Sequence, residues 1–161
     1  MNTLRRSIAA IAVTGAVTGI VTGVVGVGTA SAKPTAACTA SQFTTKLLPG
    51  DPGAGQRYAT VRFTAKAGQK CTLPGHLEVT LTGAHNVLID DEVPTDAPPV
   101  TISAGKNAEI LLHWSAIEAA ADQQTPLAIT VAGHNLAWDQ GSVDATAEAH
   151  TIDVGPVTPV S

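Results

Sequence analysis

The sequence predicts an all-β domain, an antiparallel β-sandwich with an immunoglobulin-like arrangement, for which a jelly roll is the alternative. Three observations lead to this prediction. From Cys38 onward, apolar and polar residues alternate with a period of two, in short runs that glycine, proline and aspartate interrupt. The one helical pattern, at residues 116–123, is too short to stand alone. The chain has two cysteines, Cys38 and Cys71, which can form one intramolecular disulfide.

The N-terminal residues predict export from the cytoplasm. Arg5 and Arg6 precede an uncharged run at residues 7–32, which ends in the small residues Ala30-Ser31-Ala32. This pattern is typical of a secretory signal peptide cleaved after Ala32. An uncleaved membrane anchor is the alternative, because the run is long enough to span a bilayer. The arginine pair also leaves the twin-arginine route open beside the general secretory route.

An oxidising compartment favours a disulfide between Cys38 and Cys71. The disulfide would close a loop of about 34 residues, which is worth about 3.5–4 kcal/mol of stability in the chain-entropy model. The alternative is lipidation of Cys38, because residues 35–37 are small, as they are before a lipoprotein cysteine. Lipidation would leave Cys71 unpaired.

The chain length predicts one domain after the signal peptide. We expect a short linker at residues 33–37, the sandwich at residues 38–154 and a flexible tail at residues 155–161. Removing residues 1–32 leaves seven basic against thirteen acidic residues, a net charge of −6 with histidine neutral. Nucleic acid and anionic membranes are therefore poor partners, since both attract basic surfaces. We expect a monomer.

Three strands of the first half follow from clean alternation. In residues 59–64 and 77–82, apolar side chains point to one face and polar side chains to the other, and in residues 43–47 Phe43, Thr45 and Leu47 alternate with Thr44 and Lys46. A short strand near residues 87–89 is expected to follow. Residues 90–99 are acidic and hold three prolines, which predicts an exposed loop.

The second half continues the pattern with less regularity. Residues 100–102 form a small strand, and residues 109–114 predict a central strand, because Leu111 adds an apolar residue to the second face. Residues 116–123 predict a surface turn of helix. Strands at residues 127–131 and 148–154 complete the sandwich, the last being diluted by alanine.

Several short motifs resemble a secreted actinobacterial family described only as a domain of unknown function, number 4232. They are Cys38, residues 53–58 (GAGQRY), residues 71–75 (CTLPG) and residues 102–105 (ISAG). The chain lacks the second cysteine pair that the family often carries, and Lys66-Ala67-Gly68 replaces its Asn-x-Gly turn. The resemblance implies an exported or lipid-anchored β-sandwich, and it supplies no activity and no catalytic residues.

The sequence holds no catalytic constellation, no cofactor motif and no metal-ligand spacing. Its five histidines are isolated, and His113, which points opposite Trp114 in its strand, is the one that we select as a possible ligand contact. Asp90, Asp91, Glu92 and Asp96 are close enough in sequence to bind calcium, but they lack the spacing of a known loop, so a solvated acidic loop is the simpler interpretation.

Two aromatic residues are further candidates for ligand contact. Trp138 lies in a polar stretch, which predicts an exposed platform, with Tyr58 as a second candidate member; packing at an edge is the alternative. We therefore expect a secreted, non-enzymatic binding module for an extracellular or cell-wall ligand, with no cofactor. The alternatives are a hydrolase whose site is assembled from loops, and a metal-binding envelope protein.

Overall fold

A computed structural model of the chain describes residues 34–91 and 93–160. The predicted signal peptide, residues 1–32, lies outside the described residues. Nearly all regular structure is β, as predicted. The strands are β1 (Phe43–Pro49), β2 (Gln56–Ala65), β3 (Lys70–Leu73), β4 (Val79–Thr82), β5 (Leu88–Asp90), β6 (Val100–Ser103), β7 (Asn107–Ser115), β8 (Gln123–Gln124), β9 (Ala128–Val131), β10 (His134–Ala137), β11 (Val143–Asp144), β12 (Thr151–Val154) and β13 (Thr158–Val160).

One large sheet organises the domain, in the order β1-β2-β7-β12-β5, with β13 also paired to β7. The prediction that β7 is central is confirmed, because it pairs with β2 along one edge and with β12 and β13 along the other. Its inward side chains are buried, and so are those of β2. All pairings are antiparallel except β5 with β12, which is parallel.

Three short sheets complete the fold: β10-β9-β4, β3-β6 and β11-β8. The buried side chains of β3, β4, β6 and β9 join those of β1, β2, β7 and β12 in one hydrophobic cluster. This arrangement is an all-β body with a core between the inner face of the large sheet and the short sheets. Among residues 34–91 and 93–160, no layer covers the outer face of the large sheet over β7, where Leu111 is 51% exposed.

The predicted disulfide joins Cys38 to Cys71, whose Cα atoms are 4.8 Å apart. Backbone hydrogen bonds beside it, from Cys38 N to Thr72 O and from Thr72 N to Ala36 O, attach the start of the described chain to β3. The sulfur of Cys38 is therefore bonded to Cys71, and lipidation of Cys38 is not compatible with this structure.

The segment expected to be a flexible tail is ordered instead. Residues 158–160 form β13, which pairs with the first half of β7. Val157 is buried in the core, and its N–H donates to the carbonyl oxygen of Gly75. Pro156 lies between β12 and β13, whereas Pro159 lies within β13 as the register partner of Ala108. Its missing N–H is tolerated because β13 lies at the edge of the sheet beside β7.

The surface turn of helix expected at residues 116–123 is a single 3₁₀ turn, Ala120–Asp122. The strand predicted at residues 127–131 begins at Ala128, and Leu127 is 70% exposed rather than facing the core. The strand predicted at residues 148–154 is confirmed only as Thr151–Val154.

Candidate functional site

Four side chains form a row across the outer face of the large sheet. Tyr58 of β2 is the register partner of His113 in β7, His113 is the partner of Asp153 in β12, and Asp153 is the partner of Asp90 in β5. Register partners on neighbouring strands point to the same face of a sheet. The row therefore brings together two of the predicted contact residues, Tyr58 and His113, with two carboxylates.

His113 is fixed by contacts on three sides. Its ring stacks on Tyr58 with centroids 4.8 Å apart, Nδ1 lies 2.9 Å from Asp153 Oδ2, and Nε2 lies 2.5 Å from Gln56 Oε1. The carboxylate only accepts, so Nδ1 donates to it. If the ring is an imidazolium, Nε2 donates to the side-chain oxygen of Gln56. If the ring is neutral, the Gln56 amide is turned over and its NH₂ group donates to Nε2. Neither ring nitrogen is left free.

An open depression of about 500 Å³ lies beside this row, between β7, β12 and the loop that follows β5. We call it the outer-face depression. Its polar side chains are Asp90, His113 and Asp153, and Gly155 also lines it. Its apolar side is formed by Val93, Pro94, Leu111, Val154 and Pro156. A concave surface of this size with an apolar wall and a few convergent polar groups is typical of a ligand site.

The loop at residues 90–99, which we call the acidic loop, forms one wall of the outer-face depression, and its contacts with the turn after Cys71 keep it in place. Asp91 pairs with His76, and Val93 is buried. Gly75 lets the turn after Cys71 lie directly against the backbone of the loop at Ala97, because a Cβ at position 75 would lie 2.3 Å from the carbonyl oxygen of Ala97. Only glycine fits against that backbone. The loop is therefore a fixed wall, positioned by the turn that follows Cys71.

A second, smaller depression of about 190 Å³ adjoins the row on the other side of His113. Ser115, Glu148 and His150 line it together with His113 and Asp153. Ser115 is the obvious candidate nucleophile, but its hydroxyl donates to Asp144 at 2.8 Å rather than to a histidine. A serine nucleophile needs an adjacent base that accepts its proton, and Asp144 is already committed elsewhere.

Asp144 is fully buried and accepts hydrogen bonds from four donors. They are the hydroxyl of Ser115, the backbone N–H groups of Ile117 and Glu118, and the side-chain amide of Gln123. Burial by itself raises the pKa of this carboxyl, but the four hydrogen bonds outweigh burial, and the pKa of Asp144 lies below its ordinary value. Asp144 is thus a structural anchor for residues 115–123.

Trp138, expected to be an exposed platform, is buried. It is 7% exposed, its ring lies 5.0 Å from that of Trp114, and its Nε1 donates to the carbonyl oxygen of Gly141 at 2.7 Å. The polar neighbours in sequence turn outward while the indole turns into the core, since burial of a large aromatic surface outweighs the character of the flanking residues. Trp138 therefore lies apart from Tyr58 and His113.

The acidic loop does not gather its carboxylates around one point. Asp91 pairs with His76, Asp90 joins the row, and Asp96 is exposed; Glu92 lies outside the described residues. Within residues 34–91 and 93–160, no group of three or more histidine, cysteine or acidic side chains is placed to hold a metal ion.

Sequence reasoning missed Gln56, Asp144 and Asp153. Asp153 had a weak signal, because it is the polar residue between Ile152 and Val154 and so faces outward if those residues face the core. Its pairing with His113 depends on strand register, which one sequence does not supply. Nothing in the sequence around Asp144 distinguishes it from an exposed loop aspartate.

Comparison with known proteins places most of the chain in one family. The model described as "Domain of unknown function (DUF4232)" matches residues 38–158, which include the core strands, the row and the start of β13. No curated protein and no solved structure matches the chain. In the part of the chain that the structure describes, no helix is long and apolar enough to cross a membrane.

Proposed function

The chain belongs to the DUF4232 family of domains of unknown function, and we propose that it is an exported, non-enzymatic binding module of the extracellular space or cell envelope. Export is supported by the basic residues Arg5 and Arg6, the uncharged run after them and the small residues before Lys33. The disulfide Cys38–Cys71 supports it as well, because such bonds persist in oxidising compartments.

The observation that carries the binding role is the outer-face depression. Leu111 lies on the central strand with 51% of its surface exposed, next to Val93 and Pro94 of a fixed wall. Apolar surface of this kind gains about 25 cal/mol for each Å² that a ligand removes from water. The polar row at one side would orient that ligand, as a few placed polar groups do in small-molecule sites.

The chemistry of the row supports binding rather than hydrolysis. Both ring nitrogens of His113 are engaged, by Asp153 and Gln56. The hydroxyl of Ser115 donates to Asp144. A general base needs a lone pair within reach of the proton that it removes. Neither ring nitrogen of His113 offers a free lone pair, and no histidine accepts the proton of the Ser115 hydroxyl. The row therefore suits a rigid recognition surface.

The experiment is capture of soluble cell-envelope components on the immobilised purified protein, compared between two variants of similar exposure. Leu111→Ser removes the apolar side chain of the depression, and Leu127→Ser removes one that is 70% exposed near β9. We expect the wild type and Leu127→Ser to capture similar amounts of the same component. Leu111→Ser should capture at least tenfold less of it.

Equal capture by Leu111→Ser and the wild type would show that ligands bind elsewhere and would refute the depression as the binding surface. Turnover of the captured component by the purified protein, abolished in His113→Ala, would refute the non-enzymatic role. Mass spectrometry of the exported protein tests the location: we expect a chain that begins at Lys33, two hydrogen masses lighter than the reduced form.

A further inference from the structure

Two carboxylates face each other in the outer-face depression. Asp90 and Asp153 are register partners on the parallel strands β5 and β12, and both are exposed. Neighbouring strands lie about 4.8 Å apart, and like charges directly opposite each other destabilise a sheet. The pair is therefore a local concentration of negative charge that the fold tolerates rather than needs.

Little positive charge within the described structure offsets this pair. Asp153 faces Nδ1 of His113, whereas Asp90 forms no side-chain hydrogen bond or ion pair with the described residues. None of the described residues that line the depression is lysine or arginine. The whole chain adds to the effect, with thirteen acidic against nine basic residues, so its field attracts cations.

The surroundings of the two carboxylates are apolar, and this selects the kind of cation. Leu111, Val93 and Pro94 lie beside them in the depression and offer no side-chain oxygen. A calcium ion prefers six to eight oxygen ligands, and no metal-binding group is found among the described residues. An organic cation meets both surfaces, because its charged head contacts the carboxylates while its aliphatic stem covers the apolar wall.

Building on the proposed function, we propose that the outer-face depression binds an ammonium group carried on an aliphatic stem. The ammonium head lies between Asp90 and Asp153, and the stem lies along Leu111. His113, held by Gln56 and Tyr58, fixes the position of the Asp153 carboxylate. This chemistry is common to a free alkylamine and to the lysine side chain of a polypeptide.

The test uses three probes of the same length and different charge: 1-pentylamine, 1-pentanol and pentanoate. Binding is followed by NMR shifts of the Leu111 methyl groups and the His113 ring during titration. We expect pentylamine to bind at least tenfold more tightly than pentanol, with a dissociation constant of about 1 mM for so small a ligand. Pentanoate should cause no shift, and added salt should weaken the binding of pentylamine.

Three variants with the same charge change locate the effect. Asp90→Asn and Asp153→Asn should each weaken pentylamine binding at least fivefold. Asp139→Asn is the matched control, because it removes an exposed carboxylate from a loop outside the depression and should leave binding within twofold. A fivefold loss in Asp139→Asn as well would show attraction by overall charge alone and would refute the site.

A second pair of probes separates the two sources of the ammonium group. An acetylated and amidated Ala-Lys-Ala peptide is compared with the same peptide carrying norleucine in place of lysine. Tighter binding of the lysine peptide than of pentylamine assigns the site to polypeptide ligands, and the reverse assigns it to free amines. If the norleucine peptide binds as tightly as the lysine peptide, recognition of an ammonium group is refuted.

The remaining outcomes separate this inference from the proposed function. If calcium displaces pentylamine, or if pentanol binds as well as pentylamine, the ammonium class is wrong, while capture that depends on Leu111 still supports a binding module. If no probe shifts the Leu111 signals and capture is also independent of Leu111, the proposed function and this inference both fail.

Discussion

Tyr58 and His113 lie at the same register position of β2 and β7, and their rings stack with planes 24° from parallel and centroids 4.8 Å apart. The contact joins two strands of the large sheet on its outer face, where no second layer of the described residues covers β7. It also fixes the orientation in which His113 reaches Asp153 and Gln56. The stack therefore links the stability of the sheet to the geometry of the row.

A double-mutant cycle on Tyr58→Ala and His113→Ala should give a coupling free energy of about 0.5 kcal/mol, the value typical of cross-strand pairs. The measurement is urea unfolding of the wild type, the two single variants and the double variant. Thr60 and Leu111 are register partners on the same strands and serve as the control cycle. A coupling no larger than that of the control would contradict an energetic role for the stack.

Replacing both cysteines by serine should lower the free energy of unfolding by about 3.5–4 kcal/mol. The reason is the entropy that the disulfide removes from the unfolded chain, given the sequence separation of 33 between Cys38 and Cys71. Urea unfolding of the double variant and the wild type measures the loss. Reduced wild type is the control and should match the double variant; a loss below about 1 kcal/mol would contradict the chain-entropy account.

Asp144→Asn should lower the free energy of unfolding at pH 7 by about 1–3 kcal/mol, because one of the two accepting oxygens becomes an NH₂ group, which cannot accept from the donors that face it. The pKa of Asp144 is lower in the folded than in the unfolded chain. Its stabilising contribution is therefore present above about pH 4 and is lost as the pH falls through the lower folded value. The gap between wild type and variant should narrow on acidification; a constant gap from pH 7 to pH 2 would refute this.

Trp138→Ala should lower the free energy of unfolding by about 3–5 kcal/mol, the cost of removing a buried aromatic residue. An exposed platform residue would change it by less than about 0.5 kcal/mol. Circular dichroism during urea unfolding measures the difference. Trp138→Phe, which keeps an aromatic ring against Trp114 but loses the hydrogen bond to Gly141, should cost clearly less than the alanine variant.

Val157→Ala should lower the free energy of unfolding by about 2 kcal/mol, because its side chain is buried where a flexible tail was expected. Val160→Ala, at the half-buried end of β13, is the matched control and should cost less than half as much. Thermal unfolding compares the two. Equal, negligible effects would mean that β13 contributes nothing to stability.

Much of the strand pattern could be predicted, because side-chain direction in a strand alternates residue by residue. Ala59, Val61 and Phe63 are buried as their spacing predicts. The central place of β7 was also predicted, but for a reason that the structure does not support. Leu111 suggested two covered faces, whereas the outer face of β7 is open and Leu111 lines the depression.

The candidate site could be predicted only in part. His113 and Tyr58 were selected individually, as a lone strand histidine and a possible platform, and the structure brings them into contact. Trp138 was selected for its polar neighbours in sequence, and packing against Trp114 places it in the core instead. Local polarity is a poor guide to the burial of a large aromatic ring, because the gain from burying it comes from distant residues.

The sequence by itself determined which side chains share a face of each strand and which two cysteines can pair, since both follow from local alternation and composition. Only the tertiary structure decided which strands are neighbours. The row from Tyr58 through His113 and Asp153 to Asp90 exists because four segments far apart in the chain pair in one register. That register depends on the packing of the whole core, because shifting a strand by one residue turns its buried face outward.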